Sequence, residues 1–333
     1  MLLEDEAEVH ALVRSPAECC AIFGGARNIH FHGADLSRAD FDIEALLRSV
    51  RPDYLFNLAG QSSVRESISV PRLSWSVNAD WTARLLEAVR TYSPETRLYQ
   101  ASSSEMFGNG EGVHDEHAPL NPVTPYAASK AAAHLLCRAY REAYRLRIAC
   151  GISFNHESKY RSSAFLTAKV AAHVRSLQSS HGAVSPIRVG NLETRRDWGY
   201  AAEFANGILL IAAQIEVRSR RDSAATDAVG DYRDYVLATG SLTSVRQLID
   251  RAFTLGGFEL DWDMNGGGHG KAYFRSTRSV AVESAPEFFR PGEPAAIAGN
   301  PNRALRELGW QATKSVDLFL SEMVAMPSAQ LNR

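Results

Sequence analysis

Residues 97–108 read RLYQASSSEMFG. An apolar run typical of a β-strand gives way to three small hydroxyl residues and then to a carboxylate, Glu105. In an open parallel sheet covered by helices, ligands bind beyond the carboxyl ends of the strands. A polar and charged segment directly after such a strand therefore indicates a site at the edge of an α/β sheet.

Similar runs alternate with amphipathic helical stretches along the first half of the chain. Further strands are expected at VHALV (9–13), IHFHG (29–33), YLFNLAG (54–60) and RIACGISF (147–154). Helices are expected at about 41–50, 71–92 and 124–145. This alternation predicts βαβ units, and therefore a doubly wound parallel sheet with helices on both faces.

After about residue 155 the alternation loosens. Helices are expected near 163–178, 200–215, 243–254, 301–308 and 315–326. Two polar loops, EVRSRRDSAATDAVGDYR (216–233) and DMNGGGHGKA (263–272), are expected to be flexible. We predict a sheet domain over residues 1–155, and a smaller C-terminal lobe that takes most of residues 156–333 and returns some segments to the first domain.

Composition excludes several classes of function. The 333 residues are 45% hydrophobic and 22% charged with a net charge of -2, so most of the chain should be ordered and no basic field for nucleic acid exists. Four cysteines lack CxxC spacing, and no signal peptide or long apolar span is evident. We expect a soluble cytoplasmic protein with no nucleic-acid or membrane partner and no metal at its site.

TPYAASK (124–130) places Tyr126 and Lys130 four residues apart at the start of an expected helix, so they share a face. An ammonium beside a phenol favours the phenolate, so we expect Lys130 to lower the pKa of Tyr126 and make it a usable base. Ser103, at the preceding strand end, can hydrogen-bond the same substrate oxygen. The three residues resemble the acid/base set of short-chain dehydrogenase/reductases; the plainer alternative is a strand-capping serine and an exposed i,i+4 pair.

Further motifs make the resemblance closer. The strings LYQASSSEMFG, TPYAASK, SFNHES, RRDWG, LATGSLTSVRQL, FFRPGE and GNPNRALRELGW occur in the order and approximate spacing of the GDP-mannose 4,6-dehydratases, which are extended short-chain dehydrogenase/reductases. The resemblance runs from about Val9 to Met323. It implies a Rossmann-type NADP-binding domain, a lobe that binds GDP-mannose or a related nucleotide sugar, and a homodimer or homotetramer paired through the helices near 71–92 and 124–145.

The resemblance also implies a mechanism. Oxidation of the sugar at C4 acidifies the C5 proton, a base removes that proton while water leaves from C6, and hydride returns to C6. By position, Tyr126 takes the O4 proton, Ser103 stands where the family has threonine, and Lys130 tunes Tyr126 and holds the nicotinamide ribose. Glu105 is implied to be the C5 base that later returns a proton to C5. The alternative for Glu105 is a solvated loop carboxylate.

Binding residues are implied in the same way. The implied NADP contacts are Arg14, Asp35, Leu36, Leu58, Ala59, Gln61, Ser62, Lys130, His156 and Arg161. The implied nucleotide-sugar contacts are Asn155, Lys169, Asn191, Arg196, Arg290 and Glu293. Arg14 at a strand end suits the 2'-phosphate, separate arginines can grip a diphosphate, and Glu293 can accept hydrogen bonds from a purine or ribose. The alternative is a set of scattered solvated charges, and NHESKYRSS (155–163) departs from the family's NHESPRRG.

One departure is larger. The family begins with a strand and a GxxGxxG turn that binds the pyrophosphate, whereas Met1 aligns near the end of the following helix. GGGHG (266–270) follows no clear strand and opens no helix, so it is not a substitute. We therefore expect an N-terminally truncated chain that either binds NADP poorly or folds poorly. Three functions stay open: the dehydratase, a reductase or epimerase of a related nucleotide sugar, and a non-catalytic nucleotide-sugar-binding remnant.

Overall fold

The computed structural model describes residues 7–23, 28–38, 40–110, 112–180, 184–222, 234–290 and 292–326. The strands of the first half are β1 (Val9–Val13), β2 (Ile29–Gly33), β3 (Tyr54–Asn57), β4 (Arg97–Ser103), β5 (Val113–His114), β6 (Ile148–Ser153) and β7 (Asn155–Glu157). Those of the second half are β8 (Ile187–Val189), β9 (Arg195–Arg196), β10 (Trp198–Tyr200), β11 (Tyr235–Leu237), β12 (Thr243–Ser244), β13 (Leu260–Gly266), β14 (His269–Phe274), β15 (Val280–Ser284) and β16 (Ala296–Gly299).

Eleven α-helices accompany these strands in the described part of the chain. They are α1 (Pro16–Phe23), α2 (Ile43–Val50), α3 (Val64–Ser69), α4 (Pro71–Ser74), α5 (Trp81–Tyr92), α6 (Pro125–Tyr144), α7 (Leu166–Ser179), α8 (Ala201–Asp222), α9 (Val245–Leu255), α10 (Asn302–Leu308) and α11 (Val316–Ala325). A π-helical segment, Trp75–Asp80, joins α4 to α5, and two short 3-10 turns span Ser104–Phe107 and Pro286–Phe288. No helix among the described residues has the length and apolar character that a membrane crossing requires.

The main sheet has four parallel strands in the order β11-β6-β4-β3. Strand β11 comes from the second half of the sequence and pairs with β6, so this half returns to the main sheet. A separate parallel sheet consists of β1 and β2, in register from Val9 opposite Ile29 to Val13 opposite Gly33. No ladder within the described residues joins these two sheets.

Successive residues of the central strands enter different apolar cores. Leu98 of β4 and Ile148 of β6 pack in a cluster with residues of α2 and α5. Their chain neighbours Tyr99 and Ala149 pack in another cluster with Phe204 and other residues of α8. Because side chains alternate between the two faces of a strand, the sheet is buried on both sides. The predicted doubly wound α/β class is therefore confirmed.

Most expected elements of the first half are confirmed to within a few residues, with two informative differences. The strand expected over 54–60 ends at Asn57, because the Leu58 amide turns back to the Phe56 carbonyl at 3.1 Å and leaves an exposed loop. The helix expected over 71–92 contains the π-helical segment Trp75–Asp80. Such segments inside helices often lie at functional sites.

One of the two loops expected to be flexible is corrected. DMNGGGHGKA (263–272) lies in an ordered antiparallel hairpin of β13 and β14 within the sheet β13-β14-β15-β8. Gly266, Gly267 and Gly268 have φ values of 82°, 60° and 79°, a region that glycine adopts at little cost, so they form the turn. They follow a strand after all, but open a second strand rather than a helix. In the other loop, residues 216–222 continue α8, while 223–233 lie outside the described residues.

A further sheet joins the two halves of the chain near the end of β4. It has the order β12-β9-β16-β5, and Arg195 and Arg196 of β9 lie opposite Ala296 and Ile297 of β16. The adjacent Asp197 is fully buried and accepts hydrogen bonds from the amides of Thr239, Gly240 and Gly299 at 2.9, 2.8 and 3.4 Å. These contacts fix the position of Arg196, which lies beside the candidate site.

Candidate active site

The segment SSSEMFG turns sharply where β4 ends. Ser103 is its last residue, and its Oγ accepts a hydrogen bond from the Glu105 amide at 3.3 Å at the start of the 3-10 turn. Gly108 ends the turn at φ 61°, and a Cβ there would lie 1.7 Å from the Asn121 carbonyl oxygen. Only glycine fits this close approach. The turn therefore places Glu105 beside a strand-end hydroxyl at the carboxyl edge of the sheet.

The first turns of α6 pack against the same strand end. Thr124 caps this helix by accepting a hydrogen bond from the Ala127 amide at 3.1 Å. Tyr126 and Lys130 follow, with only 8% and 6% of their surfaces exposed. Lys130 Nζ donates to the Ala101 carbonyl of β4 at 3.0 Å. The structure thus brings Lys130 against β4 and Tyr126 within interaction range of Ser103 and Glu105, as their positions in the sequence led us to expect.

The pKa of Tyr126 differs from the expectation. Burial raises the pKa of this phenol, and the nearby Glu105 also raises it, whereas the Ser103 hydroxyl and Arg161 lower it. The resulting pKa of Tyr126 is about 12. Burial also lowers the pKa of Lys130 to about 8. The lowering expected for the pKa of Tyr126 is therefore not found in this structure, because burial outweighs the groups that lower it.

The buried Lys130 ammonium leads to a stability prediction. One pKa unit is about 1.4 kcal/mol. The fall in the pKa of Lys130 from 10.5 to about 8 therefore costs the folded state on the order of 3 kcal/mol below pH 8, where folded and unfolded chains both hold the proton. Lys130→Met removes this cost and one hydrogen bond of about 1 kcal/mol, so we expect about 2 kcal/mol more stability at neutral pH. Urea denaturation measures it.

This gain should depend on pH with a definite sign. As the pH rises through about 8, the folded wild-type protein releases the Lys130 proton, while the unfolded chain keeps it up to about 10.5. The wild-type protein therefore gains stability, and the advantage of Lys130→Met shrinks by about pH 9.5. Lys271→Met, which removes an exposed lysine paired with Glu283 at 3.2 Å, should change stability little at either pH. An equal effect of Lys130→Met at both pH values would show that the ammonium is not strained by burial.

Glu105 has charged groups of both signs close to it. Burial raises the pKa of its carboxyl group, the nearby Arg196 and Arg290 lower it, and Glu293 raises it again. A carboxylate with a raised pKa is a stronger base than an exposed one. Glu105 is half-buried with Arg196, Arg290, Glu293 and Tyr126 nearby, which favours a base at this position over the solvated loop carboxylate of the alternative interpretation.

Arg196 and Glu293 bind each other beside Glu105. The Arg196 side chain is 7% exposed, and its Nη2 donates to Glu293 Oε1 at 3.1 Å. Its Nη1 donates to the carbonyls of Arg195 and Pro294, both at 2.8 Å. These protein partners differ from the diphosphate expected for Arg196 and from the purine or ribose expected for Glu293. Arg290 is exposed, with Nη1 3.9 Å from Glu293, and is freer to meet a ligand.

Asn78 is a site residue that the sequence analysis missed. It lies in the π-helical segment and is only 2% exposed. Its Oδ1 accepts a hydrogen bond from the Gln61 backbone amide at 3.0 Å. Its Nδ2 donates to the Gln61 backbone carbonyl at 3.1 Å and to Ser129 Oγ at 2.9 Å. It therefore fastens the loop after β3 to α6 beside Lys130. The surrounding segment WSVNAD (75–80) contains other polar residues, so no local pattern singled out Asn78.

The loop after β3 approaches Lys130 closely. A Cβ on Gly60 would lie 3.3 Å from Lys130 Nζ and 3.0 Å from Asn78 Oδ1, so this backbone would be tight for any other residue. Leu58 is 56% exposed, and Ala59 and Ser62 are also exposed. An exposed apolar side chain at a strand's carboxyl end, beside a buried lysine, fits a nicotinamide and its ribose.

Gln61 differs from its expected role in this loop. Its side chain is turned into the protein, donating to the Ser63 carbonyl at 2.8 Å and to Glu66 Oε2 at 3.0 Å and accepting from Ser74 Oγ at 2.8 Å. These bonds use both amide hydrogens, so the side chain holds the loop in shape rather than lining an open cleft.

Three further expected cofactor residues follow β1 and β2. Arg14 is exposed directly after β1, and Asp35, also exposed, lies close enough for Arg14 to lower the pKa of its carboxyl, although the main cause is hydrogen bonding from Ser37. The Ser37 hydroxyl and amide donate to Asp35 at 2.7 and 3.0 Å. Leu36 is half-buried against the core shared with α2 and α5. The strand register therefore brings Arg14 and Asp35 to one edge.

His156 and Arg161, two further expected cofactor residues, lie in and after β7. His156 stacks on Phe204 with ring centroids 4.9 Å apart, and its Nδ1 lies 2.8 Å from the Phe154 carbonyl. Arg161 lies 3.2 Å from Glu157 and 3.6 Å over the ring of Phe165. It is close enough to lower the pKa values of both Tyr126 and His156. The departure NHESKYRSS thus still leaves Arg161 close to Tyr126.

A second basic group lies on the lobe. Lys169 Nζ donates to the Arg188 carbonyl at 2.6 Å and lies 4.2 Å over the Phe288 ring. Arg65, which the sequence analysis did not select, lies 5.2 Å over the same ring. Burial, Arg65 and Arg188 lower the pKa of Lys169, so three cationic groups lie close together.

The two asparagines expected to bind the sugar nucleotide lie in different settings. Asn191 Oδ1 accepts from the Glu193 amide at 2.9 Å, and the side chain fills the space over Gly268. Asn155 is the first residue of β7, opposite Trp198 of β10. The described contacts do not join Asn155 to Asn191.

The fold and the Ser103, Tyr126 and Lys130 set define a protein of the short-chain dehydrogenase/reductase type. A family model described as GDP-mannose 4,6 dehydratase matches residues 1–323. The chain belongs to the GDP-mannose 4,6-dehydratase family, whose members are lyases. A GDP-mannose 4,6-dehydratase of Sinorhizobium fredii is 35% identical over 282 residues, which are 84% of this chain and 75% of that protein.

A second relative is also named as a GDP-mannose 4,6-dehydratase, and two solved structures have a similar fold. The GDP-mannose 4,6-dehydratase sdnI of Sordaria araneosa is 32% identical over 332 residues, but the match spans 97% of this chain and only 57% of the relative. Among solved structures, DesIV, a dTDP-glucose 4,6-dehydratase of Streptomyces venezuelae with NAD bound, has a TM-score of 0.74 at 21% identity, over 95% of this chain and 86% of DesIV. RMD of Pseudomonas aeruginosa with NADPH has a TM-score of 0.70 at 18% identity, over 96% and 97%. These two likenesses support the fold.

Proposed function

We propose that the protein dehydrates GDP-mannose to GDP-4-keto-6-deoxymannose. The observation that carries this proposal is the position of Glu105, a buried carboxyl within interaction range of Tyr126 at the end of β4. A reductase needs the serine, tyrosine and lysine but no base for C5, so this carboxyl favours the dehydratase. Detection of the 4-keto-6-deoxy product by NMR, after incubation of GDP-mannose with the protein, tests the proposal.

Each catalytic residue has a defined proton role in this scheme. The bound nicotinamide cofactor would accept hydride from C4 and return it to C6. Tyr126 takes the proton of O4, and Ser103 hydrogen-bonds the same oxygen. Glu105 removes the C5 proton and passes it to the departing C6 hydroxyl, which leaves as water. It then takes a proton from solvent and returns it to C5. Lys130, which donates to the Ala101 carbonyl of β4, holds the nicotinamide ribose near Tyr126.

The cofactor is proposed to be NADP. Arg14 is exposed at the end of β1, next to Asp35, where the 2'-phosphate of an adenosine ribose would lie. Its planar guanidinium can bind a phosphate through two hydrogen bonds. Leu58, Ala59 and Ser62 would line the nicotinamide, with His156 and Arg161 on the far side of Tyr126.

Arg14→Asp should weaken NADP binding far more than NAD binding. Loss of a charge-assisted hydrogen bond, with repulsion added, corresponds to about 1–3 kcal/mol, or roughly 10- to 100-fold in dissociation constant. Isothermal titration calorimetry with each cofactor measures this. Lys314→Asp makes the same change of charge on an exposed lysine elsewhere and should alter neither affinity. Equal losses for NADP and NAD would show that Arg14 does not bind the phosphate.

The nucleotide sugar is proposed to bind between the end of β4 and the lobe. Arg290, exposed beside Glu293, and the basic group of Lys169, Arg65 and Arg188 provide cations from separate segments, as a diphosphate requires. Asn155 and Asn191 are proposed to contact the sugar and the nucleoside. The buried Arg196 is proposed to hold Glu293 and to balance the charge of Glu105.

We also propose that the protein forms a homodimer or homotetramer. Trp75 before α5, and Leu135 and Tyr144 of α6, are 48%, 49% and 51% exposed, which is high for large apolar side chains. Pairing through α5 and α6 would cover such surface. Light scattering measures the mass directly, and a monomer of 36.5 kDa at micromolar concentration would contradict this proposal.

A further inference from the structure

Three histidines and a glutamate gather on the small sheet of β1 and β2. This histidine cluster consists of Glu8, His10, His30 and His32. Parallel pairing puts His10 directly opposite His30, and His32 lies two residues further along β2 on the same face. Because the register alone makes these residues neighbours, the sequence analysis, which expected no metal at the active site, did not find the cluster.

The donor atoms of this cluster lie close together. Glu8 Oε1 is 3.1 Å from His30 Nε2 and 3.6 Å from His10 Nε2, and the three ligand atoms lie within 4.8 Å of one another. Zinc–nitrogen and zinc–oxygen bonds of about 2.0–2.1 Å put tetrahedral ligand atoms about 3.4 Å apart. The two separations from Glu8 Oε1, 3.1 and 3.6 Å, are already close to this value. The two imidazoles, stacked with centroids 4.7 Å apart, need only tilt towards each other.

His32 completes the cluster as a hydrogen-bond partner. His10 Nδ1 lies 3.0 Å from His32 Nε2. Metal-binding histidines usually donate their second ring N–H to a neighbour, which fixes the tautomer and the ring orientation. His10 then carries its proton on Nδ1 and presents Nε2 to a ligand.

We propose that the histidine cluster binds a divalent first-row transition metal ion, Zn²⁺ in the first instance, through Glu8 Oε1, His10 Nε2 and His30 Nε2, with water as a fourth ligand. The Glu8 and His30 side chains are 69% and 48% exposed, so an ion can enter. Imidazole donors suit Zn²⁺, Cu²⁺ and Ni²⁺, whereas Mg²⁺ and Ca²⁺ prefer oxygen ligands.

The proposed ion lies away from the proposed active site. His10 and His30 are the second residues of their strands, near the amino ends, while Arg14 and Asp35 follow the carboxyl ends. The ion would therefore fasten the segment before β1 to β2 and stabilise the small sheet rather than take part in sugar chemistry. Binding to the folded state alone would raise the thermal midpoint with metal concentration.

The test uses the tag-free protein, stripped of metal with a chelator and titrated with Co²⁺ and then Zn²⁺. We expect saturable binding of one Co²⁺ per chain with the strong visible absorption of a four-coordinate site, displacement by Zn²⁺, and a higher thermal midpoint with Zn²⁺. His30→Ala should abolish saturable binding, and His32→Phe should weaken it by about 10- to 100-fold. His269→Ala, which removes an exposed histidine on β14, should leave it unchanged.

Two results would overturn the proposal. One is the absence of saturable Co²⁺ binding to wild-type protein, which would leave the cluster as a hydrogen-bonded group with a histidine–glutamate ion pair. The other is wild-type affinity in both His30→Ala and His10→Gln, which would place any bound metal elsewhere. If His30→Ala does not fold, the Co²⁺ spectrum of wild type and the His10→Gln titration still decide the matter.

Discussion

Glu105→Gln should lower the rate of GDP-mannose dehydration by roughly 10²- to 10⁴-fold, the usual contribution of a positioned acid/base group. Glutamine keeps the size of the side chain and part of its hydrogen bonding but cannot accept the C5 proton. Tyr126 and Lys130 are untouched, so oxidation at C4 should still occur. Product formation under saturating substrate, followed by NMR, measures the loss.

A matched control separates this effect from a general change of charge. Glu142→Gln on α6 neutralises a carboxylate whose side chain is 68% exposed and should leave the rate near that of wild type. GDP-mannose affinity should change little in Glu105→Gln. If Glu105→Gln dehydrates at close to the wild-type rate, Glu105 is not the C5 base, and the reductase or epimerase function becomes the better proposal.

Tyr126→Phe should cause a loss of similar size at an earlier step. Removal of the hydroxyl leaves no group to take the O4 proton, so we expect a fall of about 10²- to 10⁴-fold with C4 oxidation itself blocked. Borodeuteride trapping of single-turnover mixtures distinguishes the two variants. Glu105→Gln should give a hexose labelled at C4 that retains its C6 hydroxyl, whereas Tyr126→Phe should give no label.

Tyr140→Phe provides the control for this variant. It removes a hydroxyl that lies further along α6 and donates to Glu87 at 3.0 Å, and it should leave the rate unchanged. C4 labelling of wild-type extent in Tyr126→Phe would show that another group takes the O4 proton, and Tyr126 would then have no catalytic role.

The sequence predicted the sheet and the composition of the site because both depend on local patterns. Alternating strands and helices fix the doubly wound arrangement, and the polar residues after β4 must lie at its carboxyl edge. The i,i+4 spacing of Tyr126 and Lys130 likewise fixes their common face once α6 forms. Ser103, Glu105 and Tyr126 could therefore be placed together before any coordinates were considered.

Features that depend on burial or on distant pairing could not be predicted in this way. The pKa of Tyr126 rises rather than falls because its phenol is desolvated by burial, which no local motif reports. Gln61 and Arg196 are engaged by protein partners that lie far from them in sequence or depend on loop shape. The glycine-rich hairpin is ordered because β15 and β8 extend its sheet, whereas glycines alone indicate a flexible loop.

The most direct test of the proposed dehydratase is the reaction of GDP-mannose in deuterated water with the purified protein and NADP. If a protein carboxyl removes the C5 proton and returns one from solvent, the 4-keto-6-deoxy product should carry a deuterium at C5, which NMR and mass spectrometry detect. The deuterium should be absent from C4, where the product holds a carbonyl. A 6-deoxy product without deuterium at C5 would contradict the proposed role of Glu105, and a chain that binds NADP but leaves GDP-mannose unchanged would contradict the proposed function.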